Sequence, residues 1–170
     1  MGEFHDSVII VTGGGSGIGR ATALLFASDG AIVTILDRDS TAGEQTLQLI
    51  EQSGGRGLFI QTDVASGTGV RSAVDQIVER LGRIDVLFAN AAIQIVRPVD
   101  ELTEQEWNDQ LQINLGGTFL CCKEVIPVMR RQKRGCIVIT TSGHAYQSYL
   151  GYSSYAATKG GTKARTEEGW

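Results

Sequence analysis

The sequence predicts a three-layer α/β fold, in which helices cover both faces of a doubly wound parallel sheet. Two observations predict it: short, continuous apolar segments rich in β-branched residues, and amphipathic helical patterns between them. Continuous apolar strands are typical of a parallel sheet that helices cover on both faces. The expected strands are residues 7–12, 31–36, 57–62, 85–89 and 135–141. In such a sheet, ligands bind at the carboxyl ends of the strands, near the point where the strand order reverses.

Local signals place helices between these strands. Apolar residues within 70–81 recur at positions i, i+3, i+4 and i+7, and Gly82 follows as a helix end. Thr103 and Glu106 have the spacing of a capping box, which predicts the start of another helix. The length of 170 residues is close to the usual size of one domain, so we expect residues 1–170 to form a single domain.

Composition and charge exclude several classes of protein. The chain has 15 basic and 19 acidic residues, and its net charge of −4 disfavours a nucleic-acid partner or an anionic membrane. No apolar run approaches the roughly 20 residues of a membrane span, and the first residues lack the basic start of a signal peptide. With only two histidines, a histidine-rich metal site is not expected. The three cysteines, Cys121, Cys122 and Cys136, have no paired spacing and indicate reduced, buried thiols in a cytoplasmic protein.

The first strand runs directly into a glycine-rich turn, Thr12-Gly13-Gly14-Gly15-Ser16-Gly17-Ile18-Gly19. Glycines let the backbone pass close to a pyrophosphate, and a helix that begins near Gly17 would offer free N–H groups to it. The spacing is Gly13, Gly17 and Gly19, not the G-x-G-x-x-G pattern. The turn predicts a dinucleotide phosphate site, and a glycine-rich turn without a ligand is the alternative.

The second strand ends in Asp37-Arg38, and Asp37 lies 20 residues after Gly17. An acid at this place binds the hydroxyls of the adenosine ribose in dinucleotide-binding folds. Its charge repels a 2′-phosphate, which favours NAD over NADP. Arg38 leaves NADP as an alternative cofactor, because a guanidinium beside the site can pair with a phosphate. An ordinary solvated turn acid is the alternative for Asp37.

Further landmarks follow in chain order. They are Asp63-Val64 after the third strand, Asn90-Ala91 after the fourth, Asn114 on a helix, Ser142 after the fifth strand, and Tyr155-Ala156-Ala157-Thr158-Lys159. Together with the glycine turn, these residues resemble the short-chain dehydrogenase/reductase family, with its T-G-x-x-x-G-x-G and Y-x-x-x-K motifs. The sequence departs from the family's N-N-A-G motif at Ala89 and Ala92, and the missing glycine leaves less room beside the cofactor. The resemblance implies a Rossmann-like fold.

The resemblance also implies roles for four catalytic residues. Tyr155 and Lys159 are four residues apart on one helix, so their side chains meet. A free tyrosine has a pKa of roughly 10, and a nearby ammonium favours its phenolate. Tyr155 would then exchange a proton with an alcohol or ketone while a hydride passes to or from the nicotinamide. By resemblance, Lys159 binds the nicotinamide ribose, Ser142 bonds the substrate oxygen, and Asn114 holds a water in a proton relay.

The expected cofactor-binding residues combine the turn, the strand ends and the catalytic pair. They are Thr12, Gly13, Gly15, Ser16, Gly17, Ile18, Gly19, Asp37, Arg38, Asp63, Val64, Asn90, Ala91, Tyr155 and Lys159. His144 lies in a loop expected to face the substrate, where a solvated loop histidine is an equal alternative.

The first functional hypothesis is an oxidoreductase that moves hydride between NAD(H) and a small secondary alcohol or ketone. A catalytically impaired remnant that binds a dinucleotide or acts as an interaction module is the second, and an NADPH-dependent ketoreductase is the third. Family members are generally longer and oligomeric. Because this sequence ends 11 residues after Lys159, we expect the family's last strands to be missing and activity to be reduced.

Overall fold

The computed structural model describes residues 2–166, with side chains as far as residue 164. The strands are β1 (Val8–Thr12), β2 (Ile32–Asp37), β3 (Arg56–Gln61), β4 (Val86–Ala89) and β5 (Cys136–Ile139). The helices are α1 (Gly17–Ser28), α2 (Ser40–Gln52), α3 (Gly67–Leu81), α4 (Glu104–Gln110), α5 (Gly117–Gln132) and α6 (Ser153–Thr166). A π-helical segment, Leu111–Gly116, joins α4 to α5, and a short 3₁₀ turn, Gly143–Ala145, precedes α6. Residues 1 and 167–170 lie outside the described residues.

The five strands form one parallel sheet in the order β3-β2-β1-β4-β5. The chain moves outward from β1 to β3 and then returns to the other side of β1, so the order reverses between β1 and β4. This doubly wound, Rossmann-like arrangement confirms the predicted fold class. It also places the expected ligand crevice at the carboxyl ends of β1 and β4. Within residues 2–166, no helix has the length and apolar character needed to cross a membrane.

The core lies on both faces of β1, where all five residues are buried. Successive side chains of a strand point to opposite faces. Ile9 and Val11 therefore pack toward α1 and α2, and Ile10 packs toward α3 and α5. Burial on both faces explains why β1 reads as a continuous apolar run.

The local signals at the helix ends act as the sequence predicts. Gly82 ends α3 in the left-handed region, at φ 76°. Thr103 and Glu106 form the capping box at the start of α4, with each side chain bonded to the other residue's backbone N–H. The first four strands begin and end within one residue of their predicted bounds.

The fifth strand and one cysteine differ from expectation. We predicted strand residues 135–141, but β5 covers only Cys136–Ile139. Cys121 and Cys122 are buried as predicted, and burial raises the pKa of the Cys121 thiol to about 12. The prediction that Cys136 is buried was wrong, because Cys136 and Val138 lie on the same face of β5 and that face is exposed.

A buried carboxylate fastens the start of β4 to β1. Asp85 is 5% exposed, and its Oδ2 accepts a hydrogen bond of 3.0 Å from the Val8 backbone N–H. Its Oδ1 pairs with Arg83 at 2.6 Å and with Arg134 at 3.0 Å. Asp85 thus accepts a hydrogen bond from a strand N–H and pairs with two guanidinium groups, at the edge of the sheet opposite the expected crevice.

We expect Asp85→Ala to lower the free energy of unfolding by about 1–3 kcal/mol, because it leaves a buried N–H without an acceptor. Urea denaturation measures this loss. The matched control is Arg134→Ala, which removes only an exposed ion-pair partner and should cost about 0–1 kcal/mol. Equal losses in the two variants would contradict the assignment.

Candidate active site

A cleft of about 460 Å³ lies at the carboxyl ends of β1, β2 and β4. Ten predicted cofactor contacts line it: Gly13, Ser16, Gly17, Ile18, Asp37, Arg38, Asp63, Val64, Asn90 and Ala91. Its other lining residues were not predicted: Leu36, Asp39, Ala42, Thr62, Ala92, Ile93 and Ile113. The neighbours of predicted residues, such as Ala92, could have been found from the motif positions. Ala42 and Ile113 come from α2 and the π-helical segment, and no motif marks them.

The glycine turn forms the floor of the cleft, and the backbone around Gly13 and Gly19 leaves no room for a side chain at these two positions. Gly13 has a φ of 64°, and a Cβ at this position would stand 2.9 Å from the Cα of Ala91. A Cβ on Gly19 would overlap the carbonyl oxygen of Gly13. The turn therefore packs backbone against backbone, which leaves its outer side open to a ligand.

The first turn of α1 opens into the cleft without a protein cap. Ser16, the residue before the helix, makes no side-chain capping bond, and the first turn contains no acidic residue. Ser16, Gly17 and Ile18 all line the cleft. Free N–H groups at a helix start and the positive end of the helix dipole make an anion site.

The Asp37 carboxylate is held in place at the end of β2. Its Oδ2 accepts a hydrogen bond of 2.8 Å from the Gly15 N–H, and its Oδ1 accepts one of 3.0 Å from the Asp39 N–H. Arg20 also holds this turn, because it donates to the Gly15 carbonyl and, at 2.9 Å, to the Thr46 hydroxyl of α2. Sequence reasoning missed Arg20, since its partner on α2 is 26 residues away.

Thr12 joins the ends of β1 and β4 beneath the cleft. Its hydroxyl accepts hydrogen bonds from the backbone N–H groups of Asn90, at 2.9 Å, and Ala91, at 3.0 Å. The Asn90 side chain donates back to the Thr12 carbonyl at 3.1 Å. Thr12 is 2% exposed and, like Gly15 and Gly19, is not among the residues that line the cleft.

The structure brings Tyr155 and Lys159 beside the cleft, although neither lines it. The Lys159 Nζ lies 5.6 Å from the centre of the Tyr155 ring and donates a 2.6 Å hydrogen bond to the Thr140 carbonyl. The Thr140 hydroxyl donates in turn to the Asn90 Oδ1 at 3.3 Å. Lys159 is 3% exposed, and its burial lowers the pKa of its ammonium group.

Ser142 and Tyr155 both contact His144. The Ser142 hydroxyl accepts a 3.2 Å hydrogen bond from the His144 N–H and caps the 3₁₀ turn. The His144 ring stacks on Tyr152 at 4.3 Å and meets the Tyr155 ring edge-on at 5.7 Å. His144 thus lies among the aromatic rings that surround Tyr155, closer to the candidate site than the sequence alone indicated.

Asn114 is buried in the π-helical segment, and its amide is fully engaged by the protein. Its Oδ1 accepts from the Ile93 N–H at 2.8 Å. Its Nδ2 donates to the Ile93 carbonyl at 2.9 Å and to the Thr158 hydroxyl at 3.3 Å. Asn114 therefore joins the chain after β4 to α6, and its role in holding a water stays a prediction.

Replacing Lys159 changes how stability depends on pH. Because the pKa of Lys159 is lowered from 10.5, the unfolded chain binds this proton more tightly than the folded chain does. Between the lowered value and 10.5, the native protein therefore gains stability as pH rises. Lys159→Met removes this gain, so the native chain should become progressively more stable relative to the variant across that window.

Urea denaturation at a series of pH values from 7 to about 11 measures the difference in unfolding free energy, covering the window that ends near the ordinary lysine pKa. Lys123→Met is the matched control, because it removes an ammonium group at the exposed surface of α5. A Lys159→Met difference that stays constant or falls with rising pH would contradict the burial of a charged Lys159.

Comparisons with known proteins agree with this geometry. The family model for short chain dehydrogenase matches residues 7–169. Cyclopentanol dehydrogenase of Comamonas sp. (strain NCIMB 9872) is 34% identical over 167 residues, which cover 98% of this chain and 67% of that protein. The crystal structure of levodione reductase matches with a TM-score of 0.93 and 35% identity, covering 96% of this chain and 65% of that one.

The structure of NAD⁺-bound xylitol dehydrogenase matches with a TM-score of 0.94 and 34% identity, over 97% of this chain and 64% of that one. The chain thus spans about two thirds of the length of these relatives. The match covers the glycine turn, the cleft and the helix that carries Tyr155 and Lys159. The chain belongs to the short-chain dehydrogenase/reductase family of oxidoreductases.

Proposed function

We propose that this chain binds NAD(H) and carries the residues that transfer a hydride between it and a small secondary alcohol or ketone. One observation carries the proposal: Tyr155 and Lys159 are joined by hydrogen bonds to the cleft that has the glycine turn and Asp37 in its lining. Lys159 donates to the Thr140 carbonyl, and the Thr140 hydroxyl donates to Asn90, which lines the cleft. A proton-transfer pair and a cofactor site must be adjacent for hydride and proton to reach one substrate carbon and oxygen.

The cleft fits a dinucleotide at both ends. The uncapped start of α1, at Ser16 to Ile18, would hold the pyrophosphate. The Asp37 carboxylate, fixed by two backbone N–H groups, would accept hydrogen bonds from the adenosine ribose hydroxyls. Asp63 and Val64 at the far wall would contact the adenine, as the family resemblance implies.

The charge at the end of β2 supports NAD over NADP. Asp37 lines the cleft, and its carboxylate would repel a 2′-phosphate. Arg38 lines the same cleft, with an exposed side chain, and this observation keeps an NADPH-dependent ketoreductase as the second candidate function. A guanidinium at that place can pair with a phosphate.

The chemistry at the substrate follows from three side chains. When bound, the nicotinamide accepts or supplies the hydride. The Tyr155 hydroxyl would take the alcohol proton during oxidation or give a proton to the ketone oxygen during reduction. Lys159, whose pKa is lowered by burial, would hold the cofactor ribose and pass protons on. The Ser142 hydroxyl would hydrogen-bond the substrate oxygen.

We also propose that the whole protein is a cytoplasmic homo-oligomer that acts on small molecules. A groove of about 820 Å³ runs between the π-helical segment, α5 and α6. Leu111, Leu115 and Phe119 line it beside Gly161 and Ala164. This largely apolar groove supports a helical contact with a second copy, and the solution mass of the chain tests it.

The choice of cofactor depends on Asp37. In isothermal titration calorimetry, the native chain should bind NAD more tightly than NADP. Asp37→Ala should weaken NAD binding by roughly tenfold to a hundredfold, because it removes a charged acceptor. The Asp37→Ala variant should bind NADP as tightly as the native chain does, or more tightly. Asp75→Ala is the matched control, because it removes an exposed carboxylate of α3 that does not line the cleft. An equal loss in both variants would contradict the assignment.

Proton transfer depends on the Tyr155 hydroxyl. Tyr155→Phe should lower the rate of NADH formation by roughly a hundredfold or more, since it removes the acid–base group. The assay follows the absorbance of NADH with a panel of alcohols that includes cyclopentanol and xylitol. Tyr152→Phe removes the neighbouring phenol and is the control. Turnover by the native chain that Tyr155→Phe does not reduce would exclude this role.

A further inference from the structure

Gln110, the last residue of α4, binds two separate parts of the chain through one buried amide. It is 0% exposed. Its Oε1 accepts a hydrogen bond from the Ile95 N–H at 3.1 Å, and its Nε2 donates to the Ile95 carbonyl at 3.3 Å. The same Nε2 donates to the hydroxyl of Ser154, which is also 0% exposed. Gln110 thus ties α6 to the segment after β4.

Asn114 makes the same set of contacts four residues later. Its amide bonds both backbone groups of Ile93, and it donates to the Thr158 hydroxyl of α6. Residues four apart lie on one face of a helix. Gln110 and Asn114 therefore make two parallel contacts to the facing side of α6. We call the Gln110–Ser154 contact, with its bonds to Ile95, the Gln110 rung, and the Asn114–Thr158 contact, with its bonds to Ile93, the Asn114 rung.

Both rungs are completely satisfied, as their burial requires. A buried amide costs free energy unless its oxygen and its two N–H groups are bonded. In each rung the oxygen accepts one backbone N–H, and the nitrogen donates to a carbonyl and to a hydroxyl. A displaced α6 would leave an amide N–H unpaired, so the rungs favour one position of the helix.

Each rung meets α6 one residue before a reacting residue. Ser154 directly precedes Tyr155 in the first turn of α6, and Thr158 directly precedes Lys159. The Thr158 hydroxyl also donates to the Tyr155 carbonyl at 2.7 Å. The Asn114 rung belongs to a landmark of the family resemblance, whereas the Gln110 rung corresponds to none of the motifs in the sequence.

We propose that Gln110 and Ser154 are positioning residues, which hold the first turn of α6 so that Tyr155 faces the substrate. The inference rests on the proposed function, because it gives Tyr155 the proton-transfer role. Neither Gln110 nor Ser154 would touch the substrate. They act through the backbone of α6, and the Ile95 bonds join the segment after β4 to the same helix.

Ser154→Ala tests the proposal, because it removes the α6 end of the rung and leaves the Gln110–Ile95 bonds. We expect the kcat for alcohol oxidation to fall roughly fivefold to tenfold, with the affinity for NADH unchanged. Ser154→Thr keeps the hydroxyl and should restore kcat. Ser153→Ala, which removes the neighbouring exposed hydroxyl, is the matched control. Gln110→Met should reproduce the effect of Ser154→Ala if that variant folds.

A second measurement reads the position of Tyr155 without turnover. In the full chain labelled with ¹³C in its tyrosine rings, Tyr155→Phe identifies the Tyr155 signal. Ser154→Ala should shift this signal and weaken the nuclear Overhauser contact between Tyr155 and His144, whose rings lie 5.7 Å apart in the native protein. Ser153→Ala should leave both unchanged.

The outcomes separate this proposal from the proposed function. If the native chain turns over alcohol and Ser154→Ala changes neither kcat nor the Tyr155 signal, the positioning role is wrong and the proposed function stands. A loss of kcat without movement of the Tyr155 signal also overturns the positioning role. If the native chain shows no turnover but Ser154→Ala moves the signal, the positioning role is supported and the proposed function fails.

Discussion

The hydroxyl of Thr12 holds the ends of β1 and β4 together, and the cleft depends on this contact. The strand order reverses between these two strands, so no connecting helix closes the gap at their carboxyl ends. Two backbone N–H groups after β4 bond the Thr12 oxygen, and the Asn90 amide completes the junction. Gly13 follows directly at positive φ, at the start of the proposed phosphate site.

Buried and half-buried polar groups join this junction to α6. Lys159 contacts Thr140, Thr140 contacts Asn90, and Asn114 contacts Thr158. Each of these bonds replaces water that burial has removed, so each restricts the helix to positions in which its partners are met. The site therefore consists of a cleft formed at the sheet and a helix held beside it by amides and hydroxyls. The chemistry that we propose for Tyr155 and Lys159 depends on that support.

Much of the fold could be predicted from local patterns, and the exceptions have physical causes. The apolar runs predict β1 to β4 to within one residue, and local signals predict the end of α3 and the start of α4. The same pattern predicted a longer β5 and a buried Cys136, and both predictions were wrong, because an apolar run does not show whether both faces of its strand are covered. Periodicity also carries no signal for the π-helical segment that presents Asn114.

The sequence by itself determined the fold class, the glycine-rich turn after β1 and the spacing of Tyr155 and Lys159 on one helix, because each depends on residues that are close together in the chain. Tertiary structure alone decided which distant polar groups meet. Thr12 and Asn90 are 78 residues apart, and Gln110 and Ser154 are 44 apart. Their contacts follow from the order of the strands and the packing of α6. Buried polar groups need hydrogen-bond partners, and the packing of the layers decides which donors and acceptors are adjacent.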